Sequence, residues 1–396
     1  MSNFGRKPWL TRNLVVLSLI SLTQDAASEL MYPLMPLFLT GALAAPAIVL
    51  GVIEGSAELA AGLSKYFAGK SSDVHGRKQF ITVGYGLAGL GKVLVASSLA
   101  WPTVLIGRVV DRIGKGVRSA PRDAMITNSV EPENFARALG FHRAADTSGA
   151  VIGPIFALIG LSLLDNNVRA VMWWAVVPAL LSIALTFFIK EIKVDRIRET
   201  EYSHNLPLPP SFWNASVPLI LIALTNVPDT LLLLRIYQLG ASTTQVVLAY
   251  IAFNVVYTLA AYPAAVLASS LAPRKVYAIG LIAFAITFGS LGLCTTASTG
   301  MYLAVAVYGF FPAFTDGIGK SMVVASVPKH IHGKAQGMYQ SLAGGSILIA
   351  GTWAGLLWNT GRGNGSVPMT VAGIASALGA VILLSRRSEK RFLSES

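Results

Sequence analysis

The sequence predicts an all-α integral membrane protein: twelve transmembrane helices in two six-helix bundles, with both termini cytoplasmic. Three observations carry this prediction. Of 396 residues, 54% are hydrophobic and only 13% are charged, against roughly 25% charged in an average soluble domain. Mean hydropathy is +0.61. Apolar runs of bilayer-crossing length, about 20 residues, recur along the whole chain.

Gly, Pro and charge punctuate these runs into candidate spans at 14–39, 47–68, 79–98, 101–127, 136–164, 168–190, 213–239, 244–270, 274–295, 298–327, 333–360 and 366–385. Several exceed 20 residues, which permits tilt. The first leads straight into more membrane-length sequence, so no cleavable signal peptide is expected. With a cytoplasmic N-terminus, the inside segments hold 19 Lys and Arg and the outside loops only Arg169 and Arg362. That bias orients the chain and calls for an even number of spans. It also accounts for the formal net charge of +12. In a soluble chain such a charge would point to nucleic acid; here no nucleic-acid partner is expected, and the lipid bilayer is. A multi-pass monomer in the inner (plasma) membrane is the expectation.

The single cysteine, Cys294, leaves no intramolecular disulfide or multi-Cys metal site. No metal and no cofactor are expected. No phosphate-binding G-x-x-x-x-G-K-[ST] loop is present, so neither ATP hydrolysis nor other enzyme chemistry is expected. The Gly-rich 361–366 segment reads as an outside turn.

The longest inside connection, 191–212, is charged and then Pro-rich. It reads as a cytoplasmic linker between a bundle at 1–190 and a second at 213–396. A repeat supports the division. GRKQFITVG (76–84) aligns with PRKVYAIGL (273–281), and ARALGFH (136–142) with GKAQGMY (333–339), both at an offset of 197. DRIGK (111–115) and DGIGK (316–320) would need an offset of 205 and are set aside.

Charges within the spans are the next signal. An ionisable group at membrane depth is a functional candidate, because leaving it unpaired costs several kcal/mol. Asp25 and Glu29 on span 1 are spaced i, i+4, as are Glu54 and Glu58 on span 2, so each pair shares a helix face. On span 4, Arg108, Asp111, Arg112, Lys115, Arg118 and Arg122 recur at helical spacing, three or four apart but for the adjacent Asp111 and Arg112, and form one stripe. The acids and the stripe lie at matching depths. His142, Arg143 and Asp146 continue the pattern on span 5. In the second half the buried charges are Asp229, Arg235, Asp316 and Lys320, with Asn226, Asn254, Tyr257, Gln336, Tyr339 and Gln340 as polar cavity-lining candidates. Two readings of the charges stand side by side. They are mutually neutralised structural pairs, or one or more of Asp25, Glu29, Glu54 and Glu58 exchanges a proton as its cation partner comes and goes.

The segment GKSSDVHGRK (69–78) places Gly69, Asp73, Gly76, Arg77 and Lys78 in the pattern G-x-x-x-D-x-x-G-R-[RK]. It reads as a tight turn between two helices, with glycines at its bends. Here the chain resembles the major facilitator superfamily, whose signature lies between helices 2 and 3; the six-plus-six plan extends the resemblance along the whole chain. The resemblance implies the superfamily fold and makes Asp73 and Arg77 gating residues of the cytoplasmic side, with Asp123 as the acid to pair with Arg77. The second-half copy keeps only Arg274 and Lys275. Helices 1, 4, 7 and 10 of the family line a central cavity, which would set the span-1 acids opposite the span-4 cations. Arg112–Gly116 fits the spacing, and Arg108 the depth, of its helix-4 Arg motif; the equivalent residue stays open. GAVIGP (149–154) resembles an exporter-associated motif through Gly149, Gly153 and Pro154, and is equally a close helix-packing surface.

The resulting expectation is a secondary active transporter of a small organic solute, coupled to protons and exporting by alternating access. A proton-linked importer or uncoupled facilitator is the first alternative, and a lipid flippase or transporter-derived sensor the second. The span-4 cations favour an anionic or zwitterionic solute.

Overall fold

The computed structural model describes residues 9–191, 207–328 and 331–385, with 69–75 described at the level of the backbone. Every regular element among them is helical. The first half comprises α1 (Arg12–Met31, continuing in irregular turns to Ala42), α2 (Ala47–His75), α3 (Arg77–Ala96), α4 (Trp101–Asn128), α5 (Phe135–Leu163) and α6 (Val168–Trp174 and Val176–Thr186). The second comprises α7 (Pro210–Ala223 and Asp229–Gln238), α8 (Thr243–Ser270), α9 (Pro273–Leu293), α10 (Thr299–Tyr308 and Phe310–Ala325), α11 (His332–Leu356) and α12 (Ser366–Ser385). Nine of these are long and apolar enough to cross a membrane. The others are α4, dense in charge; α7, split into pieces of 14 and 10 residues; and α11, rich in Gly, Gln and Ser. Leu99, Phe187, Leu259 and Tyr262 are among many large apolar side chains left exposed on the perimeter, as a lipid-facing surface requires.

Helix starts repeat between the halves. Ala47, Arg77, Trp101, Phe135 and Val168 recur as Thr243, Pro273, Thr299, His332 and Ser366, offsets of 196 to 198. The 205 offset of DRIGK and DGIGK has no counterpart among them.

Three local features depart from the sequence reading. First, 69–75 is not a loop: α2 runs through it to His75, and the turn is made at Gly76 alone, at φ 96°, a region that favours glycine. Second, span 1 is not a uniform helix. Pro33 and Pro36 remove backbone donors, and the chain responds with a 3₁₀ turn at Tyr32–Leu34 and a π turn at Phe38–Ala42. Third, α7 breaks at 224–228, ahead of Pro228. The Trp353 indole donates to the carbonyl of Leu224 there, at 2.9 Å, satisfying a group the break would otherwise orphan.

Packing differs between the two ends of the molecule. At one end a single apolar core joins both halves, with Leu34, Leu37 and Phe38 of α1 and Leu231 and Leu234 of α7 among its members. At the other end, which carries the α2–α3 turn, the first half has a separate core built on Leu17, Ile81, Tyr85 and Met125. Along one side, α2 and α11 meet in near backbone contact: a Cβ on Gly51 would lie 2.0 Å from the Gly351 carbonyl oxygen, and one on Gly355 2.3 Å from Ile48. Only glycine permits that approach.

Candidate functional site

The shared core closes one end, and a cavity of about 1110 Å³ lies between the halves beside the α2–α11 seam. Its wall includes Asp25 of α1, Glu58 of α2, Lys115 of α4, Asp146 of α5, Asn226 of α7 and Asp316 of α10. It reaches Asp123 near the end of α4 and Ser269 near the end of α8. It therefore opens at the end carrying the α2–α3 turn.

The α4 stripe forms because its charges step by a turn, and α2 supplies most of their partners. Arg108 grips Glu54 with two nitrogens, Nε to Oε1 at 3.0 Å and Nη2 to Oε2 at 2.7 Å. Both side chains are sealed, at 5% and 3% exposure. One turn on, Arg112 meets Glu58 at 3.3 Å, and Glu58 is 39% exposed to the cavity. Asp111 turns away to Lys92 of α3, 3.1 Å distant and fully buried, with Arg108 at 3.7 Å. Lys92 was not among the residues the sequence reading singled out. The rule that flagged the other intramembrane charges applies equally to a lysine inside an apolar span.

The span-4 cations thus close their ion pairs with α2, while the span-1 acids stay within their electrostatic reach. Glu29 instead accepts the Tyr250 hydroxyl of α8 at 2.5 Å, a bond that crosses between the halves. Asp25 lies beside Asp146, carboxyl to carboxyl within hydrogen-bonding reach, and in the field of Lys115. Asp146 also accepts the Ser21 hydroxyl at 2.5 Å and pairs with Arg143 at 3.6 Å. Gly149 and Gly153 allow this closeness: a Cβ on either would sit 2.4 Å from a carbonyl oxygen of α1. Pro154 follows on the buried face of α5. His142 is buried against Ser18, Nδ1 to Oγ 3.4 Å.

At the signature segment, the side chains of Gly69 to His75, Asp73 among them, lie outside the described residues. Arg77 donates to the carbonyl of Ala124 at 3.4 Å, one residue beyond Asp123. Asp123 itself is held by Arg122 at 2.9 Å. Lys78 reaches across to the end of α6, its Nζ 2.7 Å from the carbonyl of Ile189 and its backbone N–H 3.1 Å from Glu191. It thus caps a helix terminus.

In the second half, Asn226, Tyr257, Asp316, Tyr339 and Gln340 stand on the cavity wall. Four other candidates do not. Arg235 is buried and donates to three backbone carbonyls, of Leu291, Asn364 and Cys294, at 3.0, 2.8 and 2.6 Å. It ties helix ends together, as its place in the last turn before Gly240 permits. Asp229 accepts the Tyr308 hydroxyl at 2.6 Å. Asn254 bonds back to the Tyr250 carbonyl at 3.1 Å, and Gln336 lies off the wall on α11. No cluster suited to a metal ion occurs among the described residues.

A family model, Major Facilitator Superfamily, matches residues 17–228 and 215–394. The chain belongs to this superfamily. Superfamily members are membrane transporters, not enzymes, and this chain is a multi-pass transporter. It is 26% identical over 358 residues to an uncharacterised superfamily-type transporter of Methanocaldococcus jannaschii, covering 88% of this chain and 89% of that protein. Among solved structures, a nucleoside transporter superposes with a TM-score of 0.75 at 13% identity, covering 95% of this chain and 99% of the other. A D-xylose–proton symporter does so at 0.73 and 16%, covering 96% and 98%. These likenesses establish the superfamily fold.

Proposed function

We propose that the protein carries a small organic solute across the inner (plasma) membrane by alternating access, coupled to protons, as a monomer. In this reading all of α1–α12 cross the membrane, both termini face the cytoplasm, 1–190 and 213–396 are the moving bundles, and 191–212 links them. The observation that carries it is the interfacial cavity, walled by both halves, sealed at one end by a shared core and open at the other. With that orientation the open end faces the cytoplasm. A solute-binding space of this kind becomes a transport pathway when the halves rock and exchange which end is closed.

Proton coupling is assigned to the carboxylates that reach the cavity. Asp25 and Asp146 adjoin one another, and two such groups hold a proton between them more readily than two full charges. Lys115 and Arg143 stand nearby, and relative movement of the helices would change how strongly they favour the charged form. Glu58 is the other candidate, since its partner Arg112 shares the cavity. What favours export is the segment Gly149–Gly153–Pro154. Asp73, Arg77 and Asp123 are the proposed cytoplasmic lock.

In proteoliposomes, a transported solute should drive a measurable pH change. That change should be lost in at least one of Asp25→Asn, Asp146→Asn and Glu58→Gln. Full retention in all three would remove the cavity carboxylates from the mechanism. For the lock, Asp73→Asn should shift the ratio of open and closed cytoplasmic ends, read by cysteine crosslinking; an unchanged ratio counts against it.

A further inference from the structure

The charges on the cavity wall do not cancel. Seven Lys and Arg stand there against five Asp and Glu. Three of the acids are already engaged by arginines: Glu58 by Arg112 at 3.3 Å, Asp123 by Arg122 at 2.9 Å and Asp146 by Arg143 at 3.6 Å. That leaves Lys65, Lys115, Arg118 and Lys320 facing only Asp25 and Asp316. Asp25 is turned to Asp146, and Asp316 shares α10 with Lys320 one turn away without closing to 4 Å.

The surplus cations come from three different helices. Lys65 on α2, Lys115 on α4 and Lys320 on α10 lie near enough to act on one another electrostatically. Lys65 has a neutral partner, its Nζ 3.3 Å from Gln340 Oε1. Arg118 is 4% exposed, stacks on Tyr85 at 4.4 Å and keeps a buried Nη1 with no hydrogen-bond partner. Gln340 Nε2 is also buried and unpartnered. Like charges converging in a partly desolvated space repel, and buried donors left unmade are costly. Both penalties vanish if the occupant brings negative charge and acceptor oxygens. Tyr277 and Tyr339, which meet α10 at Gly319 beside Lys320, offer ring surface for the remainder of such a molecule.

We propose that the cavity's solute is an organic anion, a molecule bearing a carboxylate or phosphate group, and that Lys65, Lys115 and Lys320 receive that group while Gln340 donates a further hydrogen bond. This deepens the transport reading above and rests on it. Proton coupling is a separate property, because binding is read without any gradient.

The test uses the purified full chain in detergent. Thermal stabilisation is measured with a fixed panel: glycerol 3-phosphate, glucose 6-phosphate, citrate and benzoate, beside glycerol, glucose and the cation tetraphenylphosphonium, at matched ionic strength. The expected result is stabilisation by at least one anion and by none of the neutral or cationic compounds. Lys115→Gln and Lys320→Gln should each weaken the apparent affinity about tenfold or more, as loss of one charged partner does, and Lys→Arg at either position should restore part of it. A second readout needs no ligand. In a Cys294→Ser background, Ser119→Cys on the wall should react faster with an anionic than with a cationic methanethiosulfonate reagent, relative to a free thiol. Lys115→Gln should reduce that preference. Stabilisation by the neutral or cationic compounds, no stabilisation by any anion, or faster reaction with the cationic reagent would each overturn the proposal.

Discussion

Glu54 and Glu58 sit one turn apart on α2 and meet arginines one turn apart on α4. Glu54 is held bidentately by Arg108, with 3% of its side chain exposed. Glu58 faces Arg112 at 3.3 Å with 39% exposed, on the cavity wall. The residue types and spacing are the same, so geometry and burial separate the pairs. A sealed pair is rigid, and breaking it strands a charge in a low-dielectric interior. A pair that meets water can exchange partners or a proton at modest cost. In the proposed mechanism the first pair serves the scaffold and the second the cavity.

Substitutions can break this contrast in order of size. Arg108→Ala leaves Glu54 only Arg112, 4.0 Å away, and should destabilise the protein by about 3 kcal/mol, seen as a large fall in the unfolding temperature in detergent. Replacing Glu54 as well should recover part of it. Lys92→Met should cost about 2 kcal/mol, because Arg108 still serves Asp111 from 3.7 Å. Gly51→Ala forces a Cβ to within 2.0 Å of the Gly351 carbonyl. The α2–α11 seam must then part, at about 1–3 kcal/mol; an unchanged melting curve would show that the seam tolerates separation. Glu58→Gln should change stability by less than about 1 kcal/mol. A fall as large as that of Arg108→Ala would erase the distinction between the two pairs.

The contrast was only partly legible in the sequence. Helix positions followed from apolar runs, and the charge stripe on α4 from its three-and-four spacing, because both are periodic properties of one segment. Depth along the bilayer placed Glu54, Glu58, Arg108 and Arg112 together. Which face of α4 meets which neighbour depends on helix rotation, so the α2 partners were indistinguishable from the expected α1 partners. Lys92 escaped notice although its sequence context flags it. Tyr250 carried no signal, since its bond to Glu29 joins residues 221 apart. Arg235 read as a cavity charge because burial looks the same whether a cation faces a solute or three carbonyls. Pro228 could have marked the break in α7, and Pro33 and Pro36 the irregular end of α1.

The most direct test compares proton movement in the variants of the two pairs. In proteoliposomes supplied with a solute that stabilises the purified chain, folded Glu58→Gln or Asp25→Asn protein should lose the solute-driven pH change. Whatever fraction of Glu54→Gln folds should retain it. Full retention in both Glu58→Gln and Asp25→Asn, or its loss in well-folded Glu54→Gln, would contradict the assignment of function to the cavity-facing carboxylates.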